Sequence, residues 1–259
     1  MTPQVICIPG SVAPAAQRYS PLVAAVGDRA QLHLKDLELY AGDTPPPDYW
    51  IDQELVALDR FADSLRLERF HLLGYSGGGF ISLAYAGTRP ERLLSLALFE
   101  PAMVPGDMTA EERTLMDTFR AKLEGLKGPE LMSAFARAQV KPGVVLPPPP
   151  AGPPPPWMLK RPAGIAAMMP ALFAYQFDRD RFRDCAFPVF LGYGDHTSEF
   201  EAVKAGVLAR LFGDIRVHRY AGIHHFVAPE QIYTPVRAAE LVSLWQHAEE
   251  GLSAELALQ

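Results

Sequence analysis

Charge of one sign is what this chain of 259 residues fails to concentrate: its 24 Lys and Arg are interleaved with 30 Asp and Glu, for a formal net charge of −6. Without a basic stripe to neutralise phosphates, nucleic acid is not an expected partner. Cysteine is nearly absent, and Cys7 and Cys185 read as buried thiols rather than as a disulfide framework. No apolar run approaches the roughly 20 residues that cross a bilayer, so no membrane span is expected. Residues 1–4 lead straight into Val5-Ile6-Cys7-Ile8 with no basic n-region and no long apolar stretch, which leads to the expectation of a cytoplasmic protein without a targeting peptide. The glycine-rich stretch at 77–79 lacks the lysine of a phosphate-cradling loop. His224 and His225 are adjacent and therefore diverge, and no cysteine pair has ligand spacing; neither metal nor cofactor is expected. A small-molecule substrate is the expected partner, and the oligomeric state is open.

What is present is the composition of an ordinary globular chain, 49% hydrophobic and 21% charged, arranged in alternating short apolar runs and helical stripes. Val5 to Ile8, closed by Pro9-Gly10, reads as a buried strand. Helical character at 21–26 and a strand at 31–34 follow. With Asp48 as N-cap, apolar residues recur at Ile51, Leu55, Leu58, Ala62 and Leu65, the stripe of a helix with one buried face. Phe70 to Leu73 predicts a strand, 77–87 a helix and Leu93 to Phe99 a strand. Later come a strand at 188–192, a helix at 198–212, a strand at 215–220 and a last helix over 231–250. Alternation of this kind predicts a mostly parallel sheet covered by helices on both faces.

Residues 102–184 interrupt the alternation. Thr109 and Glu112 have capping-box spacing ahead of Leu115, Met116, Phe119 and Leu123, and a second helix is expected from about Pro129 to Val140. Eight prolines in residues 147–156 exclude helix and central strand and predict a polyproline II arm. The expected division is therefore a core of residues 1–101 and 185–259 with a helical, proline-rich lid at 102–184. Trp157, Met168 and Phe173 on that lid, with Tyr75 beside the glycine-flanked serine, are candidates to line an apolar substrate pocket.

The chemistry points to Gly74-Tyr75-Ser76-Gly77-Gly78, at the end of one apolar run and the start of a helix. The stretch resembles the nucleophile elbow of the α/β-hydrolase family, G-x-S-x-G on a strained strand-to-helix turn, where glycine neighbours relieve crowding. Two further places are similar to that family: Gly192-Tyr193-Gly194-Asp195 after a strand, like its acid-bearing turn, and Gly222-Ile223-His224-His225-Phe226 after the last strand, like its histidine loop.

The resemblance implies an α/β-hydrolase core and a cofactor-independent serine hydrolase acting on an ester-like bond. Ser76 would be the nucleophile, His225 the base and Asp195 the acid, with Glu100, at the end of the strand from 93 to 99, as reserve acid. His225 is preferred over His224 because the family's base directly precedes the aromatic. The oxyanion donors would be the backbone N–H groups of Gly77 and of Ser11, with Val12 as the alternative to Ser11. Pro9-Gly10-Ser11 stands where relatives carry His-Gly, and the family's early antiparallel hairpin is not expected. The same parts serve C–C bond hydrolysis, lactone opening, thioester cleavage and acyl transfer, and a ligand-binding protein without catalysis is the alternative outside enzymes.

Overall fold

Six strands form one parallel sheet in the computed structural model, which describes residues 2–146, 148 and 152–257. The strands are β1 (Gln4–Ile8), β2 (Gln31–Leu34), β3 (Phe70–Tyr75), β4 (Leu93–Phe99), β5 (Val189–Gly194) and β6 (Ile215–Tyr220), in the spatial order β2-β1-β3-β4-β5-β6. Every pairing is parallel. Parallel neighbours need long crossovers, and helices provide them: α1 (Ala15–Val26), α2 (Ile51–Ser64) and α3 (Gly77–Thr88) alternate with the first strands. Between β4 and β5 lie α4 (Ala110–Ala121), α5 (Gly128–Ala138), α6 (Pro156–Leu159) and α7 (Arg161–Ala174). After β5 come α8 (Phe200–Leu211), then, beyond β6, α9 (Pro229–Ile232) and α10 (Pro235–Ala257).

The two-residue period of the strands divides the core into two layers. Val5, Cys7, Leu73, Tyr75, Ala97 and Phe99 point to one face, where Tyr19 and Leu22 of α1 and Trp245 of α10 cover them. Ile6, Ile8, Leu72, Leu96, Leu98 and Leu191 point to the other, against Leu55 and Leu58 of α2, Phe80 and Leu83 of α3 and Leu208 of α8. The central strands β3 and β4 are buried along their whole length, which is why they read as continuous apolar runs rather than as alternation.

Several boundaries differ from the sequence expectation. The first helix begins at Ala15, six residues before Pro21, because the N–H of Ala15 is capped by Asp36 Oδ1 at 2.7 Å and Pro21 lies within the helix. Trp50, not Asp48, is the N-cap of α2: its N–H donates to Gln53 Oε1 at 3.2 Å, while Asp48 sits at φ 58° in the preceding turn. The expected last helix is two, α9 and α10. The expected proline-rich arm falls partly at 147 and 149–151, outside the described residues, and its end at Pro156 starts α6 instead. The stretch after it, read from sequence only as an apolar cluster, is the helix α7.

The segment between β4 and β5 is tied down by its own ionic anchor. The expected capping box of α4 is formed, with Thr109 N–H donating to Glu112 Oε2 at 2.9 Å and Glu112 N–H donating to Thr109 Oγ1 at 3.2 Å. The buried Glu112 carboxylate also takes Arg179 in bidentate fashion, at 2.7 and 3.0 Å, and Arg179 donates further to the carbonyls of Val104 and Pro105. Burial pushes the Glu112 carboxyl up, but Arg179 and Thr109 outweigh it and hold the group below its ordinary value. This contribution to stability is present above the unfolded carboxylate's range and is lost as pH falls through the folded value. Glu112→Ala strands Arg179 without its partner and is expected to cost about 3 kcal/mol of unfolding free energy at neutral pH, less in acid. Urea unfolding at two pH values measures it.

Candidate active site

Ser76 and Glu100 are neighbours because of strand register. Tyr75 pairs with Phe99 across β3 and β4, so the next residue of each strand stands at the same level of the sheet's carboxyl edge. Both leave their strand in the left-handed region, Ser76 at φ 54° and Glu100 at φ 46°. Such a backbone costs about 1–3 kcal/mol in a residue with a side chain and persists only where surroundings impose it. Here they do: Ser76 N–H donates to Phe99 C=O at 3.2 Å, Ser76 C=O accepts from Ala102 N–H at 2.8 Å, and Glu100 N–H donates to Gly192 C=O at 3.1 Å. A Cβ on Gly78 would overlap the carbonyl oxygens of Pro9 and Ile8, and one on Gly74 would overlap Ser82 Oγ. Those two glycines let α3 press against β1 and β3, and the turn is thereby fixed.

His225 reaches this edge from the loop after β6. Its Nδ1 lies 2.6 Å from Glu100 Oε2, and its Nε2 lies 3.1 Å from Ser76 Oγ. Glu100 is fully buried, and its other oxygen accepts from Gly194 N–H at 2.8 Å and from Thr197 Oγ1 at 2.5 Å. Burial pushes the Glu100 carboxyl up, but the His225 contact, the Thr197 hydroxyl and the Gly194 amide bring it below its ordinary value. His225 is lowered by burial, only partly offset by Glu100. The resting arrangement is therefore a carboxylate accepting from Nδ1–H of a neutral imidazole, whose Nε2 is free to take the serine proton.

This geometry corrects the expectation for the acid. Asp195 does not meet His225; its Oδ1 accepts the Gly222 N–H at 2.8 Å, at the half-exposed mouth of the loop. β5 continues through Gly194, whose amide is spent on Glu100, so Asp195 emerges beyond the sheet edge and pins the loop after β6. His224 is also set apart, its Nδ1 accepting the Phe226 N–H at 3.1 Å.

A Cβ on Gly77 would lie 3.8 Å from the Ser11 nitrogen, so the loop after β1 passes close to the turn after the serine. The Ser11 carbonyl is held by Tyr40 Oη at 2.7 Å. Both Ser11 and Gly77 border a cavity of about 60 Å³ shared with Ser76, Glu100 and His225, whose remaining wall is mostly apolar: Met103, Met116, Phe119, Phe135, Ile165, Met168, Met169, Leu172 and Phe200. Of the four candidate pocket residues, Met168 belongs to this wall, and its Sδ would be 2.7 Å from a Cβ on Gly77. The other three do not: Phe173 packs under the Arg120 guanidinium, Trp157 lies beside Arg161, and Tyr75 stacks behind His225 at 4.8 Å between ring centroids.

Two charged residues on the cavity wall had no sequence signal. Glu201 and Lys204 lie on α8, whose apolar side reads in the sequence as Phe200, Val203, Val207, Leu208 and Leu211. Val207 and Leu208 are buried as that side requires, and the ionic pair, 2.6 Å apart, is buried along with them, with Lys204 Nζ also donating to the Pro101 carbonyl. Burial raises Glu201 to about 7, Lys204 opposing and the Glu100 charge adding to it. Spacing three apart on a helix was the available hint, but it marks a surface pair far more often. Among the described residues no group of three or more His, Cys, Asp or Glu is arranged to hold a metal ion, and no helix is long and apolar enough to cross a membrane.

A family model described as alpha/beta hydrolase fold matches residues 4–136. The chain belongs to that family. Among solved structures, the alpha/beta hydrolase core is shared with NosK from Streptomyces actuosus, at 18% identity and TM-score 0.65 over 96% of this chain and 100% of that one. Carboxylesterase CesB from Bacillus subtilis is similar at 18% identity and TM-score 0.64, covering 92% of this chain and 82% of its own. A thermophilic esterase from Thermogutta terrifontis superimposes at TM-score 0.66 with 15% identity, over 95% of this chain and 89% of that one. No curated protein sequence matches the chain.

Two outcomes follow from the acid's position. Glu100→Gln is expected to lower kcat on an activated ester by about 10³-fold or more, because the imidazole loses the group that sets its tautomer. Asp195→Asn keeps an acceptor for Gly222 and is expected to stay within about threefold of wild type. The reverse ranking would return the acid to Asp195. Because burial lowers His225, the acid limb of kcat/KM is expected below the ordinary histidine value of about 6.5.

Proposed function

We propose that this protein is a cofactor-independent serine hydrolase that cleaves an ester-like bond of a small, largely apolar or aromatic substrate through an acyl-enzyme. The observation that carries the reading is His225 bridging Glu100 at 2.6 Å and Ser76 at 3.1 Å, at the carboxyl ends of neighbouring parallel strands. A serine hydroxyl is a weak nucleophile, and a base within hydrogen-bond reach, itself oriented by a third group, is what activates it.

Ser76 Oγ attacks the carbonyl carbon while His225 Nε2 takes its proton. The charge that develops on imidazole is met by the Glu100 carboxylate, and the oxyanion is received by the N–H groups of Gly77 and Ser11. The imidazolium then protonates the departing alkoxide. Water, deprotonated by the same nitrogen, attacks the acyl-enzyme and releases the acid and free Ser76. The serine proton leaves with the alcohol and the proton taken from water is returned by the imidazolium to Ser76 Oγ, so the cycle closes without a cofactor.

The substrate class follows from the wall of methionines and aromatics. The cavity of about 60 Å³ is narrow, and thioether side chains are the ones that repack around an incoming apolar group at least cost. Met168, over Gly77, has to yield first. Residues 102–184, which supply most of this wall, act as the lid. The carboxylesterase and the esterase among the structural neighbours are consistent with ester chemistry on this fold.

A fluorophosphonate probe tests the nucleophile. Wild type is expected to be labelled on Ser76 and Ser76→Ala not at all; equal labelling of the two, read by intact-protein mass spectrometry, would remove Ser76 from the role. A series of p-nitrophenyl esters of increasing acyl length then reads the pocket, with kcat/KM rising from acetate to medium chains.

A further inference from the structure

Arg18, on α1, is a buried cation without an anion. The residue is 4% exposed, its Nε and Nη2 have no hydrogen-bond partner, and no carboxylate lies within ion-pair distance among the described residues. A guanidinium in that position is costly relative to a methionine or leucine of similar length, which would pack the same helix face. The groups around it are aromatic: Cζ lies 3.5 Å from the centre of the Tyr75 ring, with the Tyr233 and Phe99 ring centres at 5.7 and 5.8 Å.

Tyr75 is the residue before the nucleophile, and it holds the base at two points. Its ring lies 4.8 Å from the His225 ring with 24° between the planes, and its hydroxyl donates to the His225 carbonyl. A guanidinium centred 3.5 Å above a ring occupies that face, which leaves the other for the imidazole. Guanidinium, phenol and imidazole thus form one stack from α1 to the triad. We propose that Arg18 is a positioning residue of the reaction: through Tyr75 it fixes the plane of the His225 imidazole.

The proposal rests on the serine-hydrolase reading above. The groups facing His225 are Glu100 from β4, Lys204 and Glu201 from α8, His224 from its own loop, Tyr75 from β3 and Arg18 from α1, with Tyr19 and Tyr233 around Arg18 itself. Glu100 favours the imidazolium, whereas Arg18 and Lys204 disfavour it. Lys204 has its own counter-ion in Glu201; Arg18 has none to screen it, so its loss is the one expected to be felt at the imidazole.

The test is a steady-state pH profile of Arg18→Met and Tyr75→Leu on one p-nitrophenyl ester, with thermal unfolding to establish that each variant is folded. Arg18→Met is expected to lower kcat about tenfold with KM little changed, since a tilted base misplaces the proton acceptor without touching the substrate wall. Its acid limb is expected to move up by about one pH unit, because a cation near the base is gone. The double variant is expected to be no slower than the slower single one, as members of one stack do not add. A folded Arg18→Met with wild-type kcat and acid limb overturns the proposal while Ser76→Ala and Glu100→Gln still report an intact triad. If Arg18→Met does not fold, Tyr75→Leu decides, and unchanged kcat there overturns it. Wild type inert to esters and to the fluorophosphonate probe would bring down the serine-hydrolase reading, and this one with it.

Discussion

The contact on which the site depends is the one between His225 Nδ1 and Glu100 Oε2, 2.6 Å long and sealed from solvent. A carboxylate at the centre of a parallel sheet is costly unless every lone pair finds a donor. Glu100 recruits one from β5, one from the loop before α8 and one from the loop after β6. Three separate stretches of chain are therefore held in register by one side chain. Desolvation and hydrogen bonding act on it in opposition, and the bonding prevails, so the group stays charged where a charge is needed to orient the imidazole.

Much of this was legible in the residues. The alternation of apolar runs and helical stripes yields the sheet, and glycine on both sides of Ser76 yields the turn, because both depend on local chemistry alone. The choice of acid was less legible, since it turns on how far each strand runs. A turn such as Gly194-Asp195 carries the acid if β5 ends early; here β5 runs to Gly194 and Asp195 overshoots. A physical hint was nonetheless in the sequence. Glu100 closes a run from Leu93 to Phe99 that is apolar but for Ser95, so it had to be buried and therefore partnered, whereas Asp195 opens into the polar His196-Thr197-Ser198. The ionic pair on α8 and the unpaired Arg18 were out of reach, because a charged residue beside a helical stripe reads as solvent-facing when its spatial neighbours are unknown.

Polar chemistry is gathered on one side of the cavity and apolar substance on the other. The sheet edge supplies the serine, the histidine, the carboxylate and the backbone amides, and Ser11, Ser76, Glu100 and His225 are all buried. The segment between β4 and β5 supplies methionine and phenylalanine on helices whose anchor, Glu112 with Arg179, is not part of the cavity lining. Chemistry thus sits on the rigid part and shape on the part built of adaptable side chains. The family's core fixes the first and leaves the second free to vary.

Proton NMR of the resting protein at low temperature tests the central contact most directly. The account predicts a strongly downfield Nδ1–H resonance for His225 that is lost in Glu100→Gln and kept in Asp195→Asn. A resonance that survives Glu100→Gln and vanishes in Asp195→Asn would contradict it.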